Sequence, residues 1–437
     1  MGRHSLADYP GATGEHTPHH PWRRGVLAAL ALTVLATIVG LVILWPQSSA
    51  RDHVTEEFAT TYGLNNAQVA GTVASAGTTS DLQQCQSTVT GTVFEPGTVS
   101  TLADAAPAAA SSVPGAAGAA PTSCTRALVD ITEGPNAGKQ TQLVGWGMPG
   151  DPDLAEGQRI QLSESPDGTY AFADYSRGRA LWIWGGFVAL VVIGLAAWQG
   201  LRSLIGLAYS LAVVFGFLLP GIAEGTSALP LTLVACCAII IVAIPVVHGL
   251  NWKSASALCG SLLALGLASL IAWAMIGSTH LQGYSNEEHL KLVLYLPSVS
   301  IVGVMLSGFI IGALGGLNDV AIAQASTVTE LAAARPDARP GALFFSAMKV
   351  GRDHIASMVY TIVLSYTGAV LPLLVLITAA QRPLGQMLTS DLVATELLRS
   401  SAGALALTLA VPISTYIAAW VVPERPANRV IATTTPA

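Results

Sequence analysis

Charged residues are scarce in this chain. Lysine, arginine, aspartate and glutamate make up only 11% of its 437 residues, whereas hydrophobic residues make up 52%. This composition is too apolar for an ordinary soluble protein. It predicts an integral membrane protein whose first partner is the lipid bilayer.

Motifs for common enzyme chemistry are also missing from the sequence. There is no phosphate-binding loop of the Walker type, no paired-histidine zinc motif on a helix and no nucleophile elbow. Neither His248 nor His354 has a second metal ligand at helical spacing. Four further histidines fall in an N-terminal tail that we expect to be disordered: His4, His16, His19 and His20. We therefore expect no enzyme activity, no cofactor and no metal site.

Eight apolar runs have about the length of a helical membrane crossing. Their approximate bounds are 25–45, 181–199, 203–220, 228–248, 255–277, 293–316, 355–379 and 401–422. The first run is longer than the core of a secretory signal, so we interpret it as a retained anchor. The other runs predict a seven-helix transmembrane bundle over 181–422 with a cytoplasmic loop at 317–354.

Basic residues predict the orientation of these spans, because lysine and arginine favour the cytoplasmic side of short loops. Arg23 and Arg24 place the N-terminal tail, residues 1–24, in the cytoplasm. Eight crossings then bring the C-terminal tail, residues 423–437, to the same side. Two basic residues fall outside and are exceptions: Arg382 and Arg399. We expect a multi-pass protein of the cell membrane with both termini cytoplasmic.

A polar segment, residues 46–180, separates the first two spans and is long enough for one small domain. From Arg51 to Arg179 it has six basic and fourteen acidic residues, so its charge balance is minus eight, while the rest of the chain is plus two. The topology places this acidic domain outside the cytoplasm. Its charge argues against nucleic acid as a partner, since phosphate binding needs a basic surface.

Short alternating runs in this segment predict a small β-rich, barrel-like domain. The expected strands lie near 67–74, 86–94, 125–132, 139–146, 158–163 and 168–173. The stretch 103–120 is almost entirely alanine, proline, glycine and serine, which predicts a mobile insertion. Cys85 and Cys124 bracket it. An oxidising exterior permits a disulfide between them, although two cysteines alone do not fix the geometry.

The sixth predicted span carries a glycine stripe. Gly308, Gly312 and Gly316 recur every four residues, which places them near one helical face and lets a neighbouring helix approach closely. Plain helix packing explains this pattern. A sliding surface in a conformational change is the functional alternative.

A polar cluster follows the glycine stripe. If the helix continues past Asn318, then Asp319, Ser326 and Glu330 fall on one helical face. Two carboxylates on one face suit the guidance of a cation or proton at the inner mouth of a pathway. Solvated residues of an ordinary loop are the alternative interpretation.

The seventh predicted span carries a polar stripe that begins at Arg352 and Asp353. Ser357, Thr361 and Ser365 continue it at spacings of four residues, so hydroxyl groups descend from a charged end into the membrane. Such a stripe marks the face that packs on protein or water rather than lipid. Arg352 is also a candidate ion-pair partner for the carboxylates of the preceding helix.

These polar and glycine motifs resemble the YibE/F family of bacterial multi-spanning membrane proteins. The resemblance runs from about Thr125 to the eighth span. It rests on Gly315, Gly316, Leu317, Asn318, Asp319, Val320, Ala321, Ser326, Glu330, Gly351, Arg352, Asp353, the stretch 361–368 and Pro372. It implies an outer β-rich domain followed by a helical bundle in a bacterial cell membrane.

Two classes of function fit the sequence. The first is a secondary transporter or ion-coupled permease for a small solute or ion, in which an inner gate precedes the hydroxyl stripe. The gate residues would be Asp319, Glu330, Arg352 and Asp353. The second is a non-transporting module whose outer domain binds an envelope component or a partner protein. Transporters often contain internal repeats, and no convincing repeat is present here.

Overall fold

The chain forms a helical unit and a β-rich unit. Contacts assign residues 1–54 and 192–437 to the helical unit and residues 55–191 to the β-rich unit. This computed structural model describes residues 21–47, 53–55, 66–80, 90–98, 123–148, 150–284, 287–380 and 383–422. Several predicted features lie outside the described residues: the four N-terminal histidines, Cys85, the insertion 103–120, Arg382 and the C-terminal tail.

The β-rich unit is a curled, six-stranded antiparallel half-barrel. Its strands are β1 Ala67–Thr79, β2 Val93–Phe94, β3 Cys124–Ile131, β4 Gln140–Gly145, β5 Arg159–Glu164 and β6 Tyr170–Tyr175, in the order β2-β4-β3-β1-β5-β6. The predicted β-rich, barrel-like domain is therefore confirmed. Of the predicted strand 86–94, only the last two residues form a strand among those described.

One face of the sheet forms the core of this unit. Val73, Val129, Ile160 and Leu162 are almost completely buried, because successive side chains of a strand point to opposite faces and the apolar ones share one face. Cys124 is also buried and is disulfide-bonded.

The helices follow the predicted spans with shifted ends. They are α1 Pro21–Ile43, α2 Gly178–Val213, α3 Leu219–Ala223, α4 Ala228–His248, α5 Trp252–Thr279, α6 Glu287–Tyr295, α7 Ile301–Ala334, α8 Pro340–Ala369, α9 Leu371–Ala379, α10 Leu384–Leu388 and α11 Asp391–Val421. A π-helical turn, Val214–Leu218, joins α2 to α3.

Six helical stretches of the described residues are long and apolar enough to cross a membrane, and a seventh results if the bent pair α8 and α9 is one span. This confirms a polytopic helical membrane protein, with six to seven candidate spans where the sequence predicted eight. The predicted spans 181–199 and 203–220 both fall within one stretch of 46 residues, Gly178–Ala223. That length is about twice the ~20 residues of a crossing, and helical geometry is interrupted within it at Ala197, where φ is 49°.

The predicted cytoplasmic loop 317–354 is mostly helix. The helix α7 continues to Ala334 and α8 begins at Pro340, so only residues 335–339 connect them. Pro336 and Pro340 explain this short connection, because proline disfavours helical geometry at the preceding residue but suits the first turn of a helix. At the other end of α8 the chain bends by 64° into α9, whose first turn contains Pro372.

Candidate functional site

Three helices of the helical unit meet around a buried amide. The side chain of Gln324 on α7 is 1% exposed and accepts a hydrogen bond of 2.9 Å from the Thr415 hydroxyl of α11. Gly351 of α8 lies so close that an added Cβ would be 2.7 Å from a methyl group of Val411 and 3.2 Å from the Gln324 carbonyl oxygen. Only glycine allows this approach, because any larger residue would displace α8 from its neighbours.

Contacts at the end of α11 fix the depth of this meeting point. The Arg23 Nε of α1 donates to the backbone oxygen of Val421 at 3.0 Å, and its guanidinium lies 4.7 Å from the centre of the Trp252 ring. The starts of α1 and α5 and the end of α11 therefore share one boundary. Val411 precedes Val421 by about 15 Å of helix, which is about half of the ~30 Å hydrocarbon thickness. The meeting point thus lies near mid-depth.

Asn318 and Asp319 lie close to this mid-depth level. They are the eighteenth and nineteenth residues of the 34-residue helix α7, so the helix does continue through them. Two packing contacts show that α7 and α11 run side by side in the same direction, because Gly316 packs on Leu407 just as Gln324 packs on Thr415 eight residues later in each helix. Asp319 is therefore placed near the centre of its helix rather than at the end of a span.

Asp319 lies within electrostatic reach of two histidines from other helices. His248 is the last residue of α4 and His354 belongs to α8, three residues after Gly351. Asp319 is exposed within the helical unit, whereas both imidazoles are partly buried. Among the described residues, no three His, Cys, Asp or Glu side chains form a group that could hold a metal ion. The cluster instead suits proton exchange, since a carboxylate and an imidazole can each bind and release a proton.

The structure does not bring all the predicted gate residues together. Glu330 and Ser326 continue α7 beyond Asp319, and Glu330 is exposed about 16 Å further along the helix. In the described residues Arg352 forms no ion pair with either Asp319 or Glu330. Asn318 has a buried side-chain oxygen that accepts no hydrogen bond from the described residues.

The polar stripe of α8 points away from the rest of the helical unit. Arg352, Asp353, Ser357, Thr361 and Ser365 are all exposed within it. The Thr361 hydroxyl donates to the Ser357 backbone oxygen at 3.0 Å, a bond within one helix that any Thr of a membrane helix can make. The predicted stripe therefore exists, but it does not face α7.

The glycine stripe of α7 contacts two different helices. Gly316 lies against Leu407 of α11 and Gly312 against the Tyr366 hydroxyl of α8, while a Cβ at Gly308 would meet open space. The part of the stripe nearest Asp319 is thus a packing surface, and the part furthest from it is open.

A second ionisable group lies towards the opposite boundary. Arg399 of α11 pairs with Glu396 at 2.9 Å, lies 5.5 Å from the centre of the Phe309 ring and interacts electrostatically with Tyr366. Sequence reasoning treated Arg399 only as an exception to the charge rule. The three-residue spacing of Glu396 and Arg399 was the available signal, because such spacing places two side chains side by side on a helix.

A cavity of about 620 Å³ lies elsewhere in the helical unit, between α1, α5, α8 and α11. Aromatic residues such as Trp22, Phe344, Tyr416 and Trp420 line it, and none of the lining residues is Asp, Glu, Lys, Arg or His. The lining of this cavity is therefore uncharged, unlike the group around Asp319.

Residue patterns did not predict the interhelical contacts of four further residues: Gln324, Thr415, His248 and His354. Spacing along one helix cannot reveal a cluster built from several helices, and Gln324 stands alone in a run of small residues.

Comparison with known proteins gives one family match. A profile of the YibE/F-like protein family matches residues 184–424, which is more than half of the chain. No curated protein and no solved structure matches it. The chain therefore belongs to the YibE/F-like protein family.

Proposed function

We propose that this protein is a proton-coupled secondary transporter of a bacterial cell membrane, with Asp319 as the coupling acid. The observation that carries the proposal is Asp319 near mid-depth, within electrostatic reach of His248 at the end of α4 and of His354 on α8. Ionisable residues are costly at that depth and, where they occur, mark ion pathways and proton relays.

The roles of the three side chains follow from their chemistry. A carboxylate accepts a proton, and a neighbouring imidazole can pass a proton to it or take one from it. His248 and His354 lie on different helices, α4 and α8, so a relative movement of either helix changes the charge near Asp319. Binding of a proton is thereby linked to the arrangement of the helices, which alternating access requires.

The orientation of the transporter is part of the proposal. Arg24 and Lys253 lie at the boundary that Arg23, Trp252 and Val421 share. Because α7 runs parallel to α11, the connection 335–339 with its two arginines lies at the same boundary. Basic loops favour the cytoplasm. The termini of the helical unit are therefore assigned to the cytoplasmic side and the β-rich unit to the outside.

The orientation is tested by labelling single cysteines in intact cells with a membrane-impermeant maleimide. The background lacks the free cysteines Cys236, Cys237 and Cys259. Gln282→Cys, in the loop at the opposite boundary, is expected to react in intact cells, and Asp337→Cys only after the cells are opened. The reverse pattern contradicts the orientation.

The transport function is tested by comparing metabolite and ion contents of cells that lack the protein with cells that express it. Asp319→Asn removes the titratable group while keeping its shape, so these cells are expected to match the deletion. The matched control is Asp337→Asn, an exposed acid of the 335–339 connection, which is expected to match the wild type. Membrane levels of both variants are measured in parallel. Full restoration by Asp319→Asn, or no difference between deletion and wild type, contradicts the proposal and favours a non-transporting module.

A further inference from the structure

We propose that the outward face of α8 is the contact surface for a second copy of this chain. The face consists of Lys349, Arg352, Asp353 and Ser357, and all four are exposed. In the 30-residue helix α8 the buried residues are Leu343, Ala347 and Gly351. The helix is thus held to the helical unit along one narrow side.

The depth of this face excludes lipid as its natural neighbour. Gly351 packs on Val411 and Gln324 near mid-depth, and Arg352 and Asp353 follow it directly. Charged side chains at that depth turn towards protein or water and pair with one another. In the described residues neither Arg352 nor Asp353 forms an ion pair. Their partners are therefore supplied from elsewhere.

A second copy supplies the missing charges in the required arrangement. A two-fold axis along the membrane normal makes the contact reciprocal, so that each residue i meets residue j of the other copy and the reverse also holds. Because Arg352 and Asp353 are adjacent and opposite in charge, Arg352 of each copy meets Asp353 of the other. Two symmetry-related ion pairs thus satisfy four charges.

The rest of the face suits the same contact. Ser357 follows Asp353 by one helical turn, about 6 Å, and hydroxyl side chains commonly hydrogen-bond between membrane helices. Thr361 and Ser365 continue at the same spacing but turn progressively around α8, so they lie outside this face. The bent extension α9 has no buried residue, so it too is available to the second copy. This inference concerns assembly and does not depend on the transport function.

Charge reversal gives the direct test, using the full chain in nanodiscs with mass photometry as the readout. The wild type is expected to exceed the mass of an empty nanodisc by about twice its 44.9 kDa chain mass. Arg352→Asp alone and Asp353→Arg alone each place like charges across the axis and are expected to remove the dimer peak. The double variant Arg352→Asp/Asp353→Arg restores opposite charges and is expected to restore the dimer. Arg339→Asp, an exposed reversal in the 335–339 connection, is the matched control and is expected to stay dimeric.

Cysteine crosslinking in membranes provides a second measurement that does not need the charge variants to fold. In a background lacking the three free cysteines, Ser357→Cys is expected to form a crosslinked dimer under mild oxidation. Leu270→Cys, at a 58% exposed position of α5, is the matched control and is expected to stay monomeric.

Three results would overturn the inference. The first is a monomeric wild type, or a complex with a different protein. The second is a well-folded double variant that remains monomeric. The third is crosslinking of Leu270→Cys equal to that of Ser357→Cys.

Discussion

The β-rich unit and the helical unit differ in the side chains that they expose. In the β-rich unit the apolar residues of the strands turn inward, and ion pairs such as Arg177 with Asp174 lie on the surface, where water solvates them at little cost. In the helical unit large apolar side chains such as Leu270 and Trp273 are exposed. An exposed charge on α8 therefore needs water or a protein partner, because lipid cannot solvate it. An exposed charge on the half-barrel does not.

The largest effect is expected from the covalent bond of the β-rich unit. Cys124→Ser removes the disulfide of this buried residue and is expected to destabilise the unit by about 2–5 kcal/mol. Hydrogen exchange of the β1 and β3 amides measures the loss. Cys259→Ser, which changes a free cysteine of α5, serves as the control and is expected to leave this exchange unchanged. Equal exchange in both variants would show that the half-barrel does not depend on the bond.

The next effect concerns close packing in the helical unit. Gly351→Ala places a methyl group 2.7 Å from the Val411 methyl and is expected to cost about 1–3 kcal/mol, as overpacking does. Gly315→Ala meets nothing within 4 Å and is expected to stabilise α7 by about 0.5–1 kcal/mol through helix propensity. Unfolding in mixed micelles measures both. Changes of the same sign would contradict the assigned meeting of α7, α8 and α11.

A smaller effect is expected from the hydrogen bond at that meeting point. Thr415→Val removes the donor to Gln324 and is expected to cost about 0.5–1.5 kcal/mol. Thr408→Val is the matched control, because the Thr408 hydroxyl bonds only to the backbone of its own helix. The same unfolding assay should show less change for the control. Indistinguishable values would mean that the buried amide contributes no stability through α11.

The smallest effect is a pH dependence of the β-rich unit. Burial raises the pKa of Tyr170 above its ordinary 10.0, while a hydrogen bond from Asn136 opposes the rise. The folded unit therefore holds the phenol proton more tightly than the unfolded chain, so this stability is fully present below about pH 10 and is lost as the pH rises through the folded pKa. The free energy of unfolding, measured at pH values below and above 10, checks this dependence. A Tyr170→Phe unit that keeps the same pH dependence would assign the effect to another group.

Residue patterns predicted the half-barrel better than the ends of the helices. The alternation of apolar and polar residues predicted β1, β3, β4, β5 and β6, because the side chains of a strand with one solvent-exposed face alternate every two residues. The polar residues Asn318 and Asp319 suggested the end of a span, yet α7 continues to Ala334. Tertiary packing of Gln324 on Thr415 and Gly351 favours helix there, and no local pattern contains that information.

The candidate site was predicted only in part, for a related reason. Asp319 was identified as a candidate, and its residence in a continuous helix was stated as a condition that the structure meets. Its neighbours His248 and His354 come from two other helices, and only the packing of the helical unit brings them within reach. The outward direction of the α8 stripe was equally hidden, since periodicity defines a face but not what lies opposite to it.

The central claim is that Asp319 acts as the coupling acid, which requires water to reach its side chain although it lies near mid-depth. The most direct test compares Asp319→Cys with Leu263→Cys, each in the background without free cysteines, by reaction with a membrane-impermeant maleimide applied to both sides of the membrane. Leu263 lies one turn from Gly260, which packs on Ser414, so it occupies a similar depth but lines the apolar cavity. The account predicts that the cysteine at position 319 reacts at least tenfold faster. Equal, negligible labelling of both positions would contradict it.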